Sequence, residues 1–163
     1  MKAATSGWEA CALAGALLLA AVAAGADSVP SPRGPLAPAW RDATAAAQRS
    51  LGEETAARLT LLAYVTAAGR SCPGLDVNRA RFKGAFRELA EERKDQLADA
   101  RKTRSALRRV SYHLGVATGL FLAEHALGPE RFCTGARASI AADPEFALFF
   151  ASAERAGDGG EAR

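Results

Sequence analysis

The residues whose types invite chemistry are Cys72, Cys133, His113, His125 and the Glu124 beside that last histidine. A Cys133–His125 nucleophile would need a free thiol with the imidazole in reach. Glu124 and His125 would need to face each other to pass a proton, yet neighbours on a helix point apart. His113 and His125 are twelve positions apart, a rotation of about 120 degrees at the helical period, so they do not share a face. No Cys-x-x-Cys is present, and two cysteines with two scattered histidines make a poor zinc set. Gly-x-Ser-x-Gly, a phosphate loop and a dinucleotide fingerprint are absent as well. The expectation is a protein that is not an enzyme, with no catalytic residues, no metal site and no cofactor.

The cysteines therefore read best as structural. Cys72 stands before Pro73-Gly74, and Gly128-Pro129 stands shortly before Cys133, so each lies beside a helix-breaking pair. A disulfide between them would pin two long helices into a hairpin, with Leu75 to Leu127 as the stretch around which the chain is organised. Closing a loop across 61 positions stabilises by about 4 kcal/mol in the chain-entropy account. Such bonds persist in oxidising compartments. Residues 1–26 agree, with Lys2, an apolar run from Ala10 to Ala24, and small residues at Ala24-Gly25-Ala26, the pattern of an export signal cleaved before Asp27. A retained N-terminal anchor is the alternative. Cys11 stands at the start of the apolar run and not after it, which disfavours a lipoprotein, and no later stretch reads as a membrane span. The localisation expected is periplasmic or secreted.

These residues must be positioned by helices. The chain has 163 residues, 49% hydrophobic and only 7% aromatic, and an apolar share dominated by alanine favours close helix packing over strands. Residues 27–38, with four prolines, read as an extended lead-in, residues 39–156 as the helical domain, and residues 157–163 as a disordered tail. A short helix from Ala39 or Trp40 to Arg49 comes first. Ser50 and Glu53 suggest a capping box for a helix from Leu51 to Ala68, with Leu59, Leu62 and Val65 on its buried face and Gly69, then Pro73-Gly74, as its stop, so that Cys72 sits just past a helix end. Asp76 or Asn78 caps the next, with Phe82, Phe86, Leu89, Arg93, Gln96 or Leu97, and Ala100 along one side. A kink or a short break around Thr103 to Ser105 precedes a stripe of Ala106, Leu107, Val110, Leu114, Ala117 or Thr118, and Phe121. Ser111, Gly115, Gly119 and Ala123 recur four apart, which predicts close approach of a second helix. Pro129 and then Asp143-Pro144 open two further helices, with Phe132, Ala136 and Ile140 on the first and Phe146, Leu148, Phe149 and Phe150 on the last. The fold expected is all-α, a small bundle of four or five helices stapled by one disulfide.

Charge gives the functional clue. From Asp76 to Arg109 there are eleven Lys or Arg against six acids, an excess of five, whereas the whole chain carries +3. Arg79, Arg81, Lys83, Arg87, Arg101, Lys102, Arg104, Arg108 and Arg109 are the candidate binding residues. A solvated helix surface, with opposite-charge pairs such as Arg87 and Glu91, is the bland reading. The sharper one is an acidic envelope protein or anionic lipid head groups as partner. Nucleic acid is not expected, because no stacking aromatics interleave the charges. The leading reading is thus a binding or accessory protein of the cell envelope, and the alternative is a carrier or chaperone-like bundle using Phe146, Phe149 and Phe150 to hold an apolar ligand or an unfolded chain.

Ala68-Gly69-Arg70-Ser71-Cys72-Pro73, and later Gly128-Pro129-Glu130-Arg131-Phe132-Cys133 through Ile140-Ala141, resemble small exported bacterial proteins of a two-cysteine family without assigned function. The resemblance spans about 80 residues, from Ala68 to about Phe150. It implies a secreted all-α domain with one disulfide and no activity. The alanine-rich lead-in and the Gly115/Gly119 helix have no counterpart in it.

Overall fold

The structure, a computed structural model, describes residues 34–95 and 100–151, with side chains for 34–91 and 104–151. The export signal at 1–26, most of the lead-in and the tail at 157–163 lie outside the described residues. A 3-10 turn at Gly34–Leu36 leads into six α-helices: α1 Ala37–Leu51, α2 Glu53–Ser71, α3 Arg79–Asp95, α4 Ala100–Leu127, α5 Pro129–Ala142 and the short α6 Pro144–Ala147. The bundle is all-α, as expected. Pro35 and Pro38 depart from the extended lead-in expected up to residue 38, because Pro38 sits in the first turn of α1, where a missing N–H costs nothing.

The centre of the molecule is α2 rather than the Leu75–Leu127 stretch. Ala56, Leu59, Leu62, Ala63, Tyr64, Val65, Ala67 and Ala68 are all buried, covering more of the circumference than one face. Helices α1, α3, α4 and α5 all pack on it. Alanines make this enclosure possible, since small side chains let several helices approach a single axis. Tyr64, 1% exposed, sits in the middle of an aromatic group, with ring centroids 4.9 Å from Phe121, 5.5 Å from Phe132 and 5.8 Å from Phe146. Trp40 of α1 lies 4.5 Å from Phe121 on the other side.

The proposed capping box does not form. Ser50 lies inside α1, and the corner is made by Gly52 at φ 83, ψ 158, a conformation open essentially to glycine alone. The Gly52 N–H closes α1 on the Gln48 carbonyl, and the Gly52 carbonyl opens α2 by accepting from Ala56. Gly69 likewise does not end α2, which continues to Ser71 and stops before Pro73-Gly74, with Cys72 just past its end as expected. Its role is steric, since a Cβ there would collide with the Val77 side chain. The loop after Cys72 crosses α2 at this point.

Cys72 and Cys133 are bonded, with S–S 2.04 Å and Cα–Cα 5.4 Å, joining the end of α2 to α5. Asn78 caps α3 by accepting from Arg81 N–H at 3.1 Å. Asp143 caps α6 by accepting from Glu145 and Phe146. The stretch after α6 returns to the loop before α3: Asn78 N–H donates to the Phe149 carbonyl at 2.8 Å, and Ala151 N–H to the Asp76 carbonyl at 2.7 Å. Phe146, Phe149 and Phe150 are buried, whereas Leu148 is turned outward and 50% exposed.

Helix α4 is uninterrupted from Ala100 to Leu127, so the break expected at Thr103 to Ser105 does not occur there. None of those three residues removes a backbone donor or forces a left-handed turn, and nothing there stops a helix. On α3, Leu89 and Ala90 are buried while Phe82 and Phe86 are half-buried, so the deepest burial comes later along the helix than the aromatic spacing suggests. The Arg93, Gln96, Leu97 and Ala100 side chains lie outside the described residues.

Candidate anion-binding face

Helix directions place the cations. α2 runs toward the disulfide, α3 runs away from it and α4 returns. The end of α3 and the start of α4 therefore lie at the far end of the bundle, beside Leu51 and Glu53. Two contacts fix this arrangement. Arg58, early in α2, reaches Glu88 on α3 at 3.4 Å, and Leu51, Leu59 and Val110 form a small buried cluster of their own, with Phe86 and Leu114 against it.

On α3, Arg79, Lys83 and Arg87 recur every fourth residue and are exposed, so they form one line along the helix. Arg87 lies 4.0 Å from Glu91, the pair expected from the spacing. Arg81 is set apart. It pairs with Glu145 at 3.6 Å and lies over the Phe149 ring, 5.5 Å from its centroid, so it helps to hold α6 and belongs to the disulfide end. On α4, Arg104, Arg108 and Arg109 are exposed, and none of them takes part in an ion pair among the described residues. Arg101 and Lys102 occupy the first turn of α4, their side chains outside the described residues. Of the nine candidates, the far end thus gathers Arg87, Arg104, Arg108 and Arg109, with Arg101 and Lys102 on the same helix start. Arg79 and Lys83 lead toward it.

The sequence from Ala100 to Val110 holds five Lys or Arg and no acid, and the first turn of α4 carries no acidic residue. That is the reverse of what helix stability favours, since the N-terminal end carries the positive end of the macrodipole and cations there are unfavourable by about 0.3–1 kcal/mol. An anion held at this end would be attracted by both the dipole and the side chains.

A second polar group lies at the opposite end. The Trp40 indole N–H donates to Glu124 Oε1 at 2.7 Å, joining α1 to α4. Burial raises the Glu124 carboxyl above its ordinary range, and the Trp40 bond and the Arg131 charge offset part of this. Burial also pushes the Tyr64 phenol up to about 12; Ser139 pulls it back in part, and Glu124 adds to the rise. The Tyr64 hydroxyl has no hydrogen-bond partner of good geometry, although the Ser139 side chain is close enough to act on it. This group links α1, α2, α4 and α5, and its visible work is to hold them together. Neither Trp40–Glu124 nor the Tyr64 hub was foreseeable from periodicity; the one signal was an acid placed within an otherwise apolar helix segment.

The chain matches no protein-family model, no curated protein and no solved structure.

The groups weighed for catalysis are dispersed. Cys133 is committed to the disulfide, so it offers no thiol to His125, whose ring instead meets the Phe132 edge at 5.6 Å. His113 is 8% exposed, and burial lowers its pKa. Among the described residues no group of three or more His, Cys, Asp or Glu could hold a metal ion. No described helix is long and apolar enough to cross a membrane.

Proposed function

We propose that this is an exported binding or accessory protein of the cell envelope, and that the far end of the bundle is its working surface. Arg87, Arg104, Arg108 and Arg109, with Arg101 and Lys102 beside them, engage an acidic protein or anionic lipid head groups. The observation that carries this reading is the concentration of cations at the start of α4, where Arg104, Arg108 and Arg109 are exposed and take part in no ion pair among the described residues. The disulfide supports a place in an oxidising compartment, periplasmic or secreted, and the Ala24-Gly25-Ala26 signal supports cleavage before Asp27.

The carrier reading loses the residues that motivated it. Phe146, Phe149 and Phe150 are packed around Tyr64 and the α3 entry loop and offer little surface to a ligand.

The test is cosedimentation of the oxidised protein with anionic and with zwitterionic vesicles, together with capture of envelope proteins, each at about 0.05 M and about 0.5 M salt. Binding to one acidic target that falls steeply with salt, and is lost in the Arg104→Ala, Arg108→Ala, Arg109→Ala triple variant, is expected. Binding unchanged by either manipulation, or none at low salt, would remove the proposal.

A further inference from the structure

One face of α4 carries charge of a single sign. Arg104, Arg108 and Tyr112 are exposed and recur every fourth residue, so they lie within about 80 degrees of one another along about 12 Å of helix. Exposed Arg109 borders them. From Ala100 to Ala123 there is no Asp or Glu. The first acid, Glu124, is turned about 160 degrees from Arg108, and its carboxylate accepts from the Trp40 indole. Helix α3 differs, because Arg87 stands 4.0 Å from Glu91 and Glu88 is 3.4 Å from Arg58, so both signs meet there. Past Tyr112 the small residues expected to receive another helix do not receive one: among the described residues a Cβ at Gly115 or Gly119 would meet nothing within 4 Å.

Tyr112, 66% exposed, is the one exposed large apolar side chain beside these arginines. Leu127 stands about 22 Å further along α4, and Leu148 lies at the end of α6. A protein partner bound specifically would need several such anchors gathered into an apolar centre. A bilayer surface bearing anionic lipids needs none, because its head groups attract each cation separately. Tyrosine, apolar in its ring and polar at its tip, suits the head-group level. We infer that the Arg104–Arg108–Tyr112 face, with Arg109 at its edge, rests on the surface of a bilayer that contains anionic lipid, the guanidinium groups on head-group phosphates and the Tyr112 ring between them. The inference rests on the working surface proposed above and selects, of its two classes of partner, the lipid. A single tyrosine is too little apolar surface to enter the hydrocarbon, so the contact is peripheral and sensitive to salt.

Cosedimentation of the oxidised full chain with phosphatidylcholine vesicles, with and without phosphatidylglycerol, tests it at about 0.1 M salt. The readout is the gain in affinity that phosphatidylglycerol confers. Arg104→Ala and Arg108→Ala should each lower that gain about fivefold, and the triple variant that adds Arg109→Ala about 100-fold. Arg70→Ala, which removes an exposed cation at the disulfide end, should change it less than about twofold. Tyr112→Trp should add a blue shift of emission on phosphatidylglycerol vesicles beyond any shown by the parent. No gain from phosphatidylglycerol, an Arg70 effect equal to that of Arg108, or no added shift from the new indole overturns the inference. Retention on immobilised polyglutamate separates the two levels of the argument. Salt-sensitive retention that the triple variant loses, without any gain from phosphatidylglycerol, overturns the lipid assignment and leaves the cationic surface as a protein site. Absence of both removes the underlying reading as well.

Discussion

The two ends of the bundle are built on opposite terms. At the disulfide end, Cys72–Cys133, the Asn78 and Asp143 caps, the Arg137 bond to the Pro73 carbonyl at 3.1 Å, the backbone pairing of residues 76–78 with 149–151 and the ring contacts around Tyr64 all converge. At the far end, among the described residues, Leu51, Leu59 and Val110 form a smaller buried cluster with Phe86 and Leu114 flanking it, and the surface carries the exposed Arg104, Arg108 and Arg109. The difference teaches where this chain has stability to spare. One end is fastened by covalent, capping and aromatic contacts, so the other can carry repulsion that a uniformly built bundle of this size would tolerate less well.

Breaking the fastened end should have the largest effect. Replacing Cys72 and Cys133 together by alanine is expected to lower the unfolding free energy by about 4 kcal/mol, read by urea denaturation. The parent in reductant should approach the same midpoint, and a midpoint unmoved by either change would show that the fastening lies elsewhere. Gly69→Ala should cost about 1–3 kcal/mol through the clash with Val77, whereas Gly115→Ala, facing open space, should be neutral or stabilising. Equal losses at the two glycines would contradict the packing described.

The charged groups sharpen the contrast with smaller effects. His113 has a folded pKa below its unfolded value, so the unfolded state holds its proton more tightly. Its contribution is intact above about pH 6.5 and is lost as pH falls from there through the folded pKa, and His113→Gln should flatten that part of the stability profile. Glu124 has the opposite sign. Its raised pKa makes the folded state the tighter proton binder, so its contribution is present at low pH and lost as pH rises from its unfolded value through the folded one. Arg104→Ala should alter stability least, with a gain of a few tenths of a kcal/mol at low salt that fades as salt is added. A marked loss instead would mean that Arg104 holds the fold and is not a spare cation.

The disulfide, the caps at Asn78 and Asp143, the Pro129 start and the cation count could be read from the chain because each rests on local chemistry. Residues that only tertiary packing defines could not. Tyr64 sits on α2 beside several equally apolar positions, and only the convergence of four helices makes it the hub. Ser50 and Glu53 have the spacing of a capping box, but the left-handed Gly52 between them turns the corner first. Gly69 looks like a stop and acts as a clearance. The cations of α4 were visible as a composition bias, yet their collection at one end follows from the α3–α4 reversal, which no glycine or proline announces.

The backbone pairing of Asp76 and Asn78 with Phe149 and Ala151 fixes where the described chain leaves the bundle, beside the disulfide. With α4 about 42 Å long, a fluorophore or surface linker attached at Ala151 would sit far along the molecule from Arg104 at the start of α4. That site is therefore a handle for immobilising the protein with its cationic tip pointing into solution.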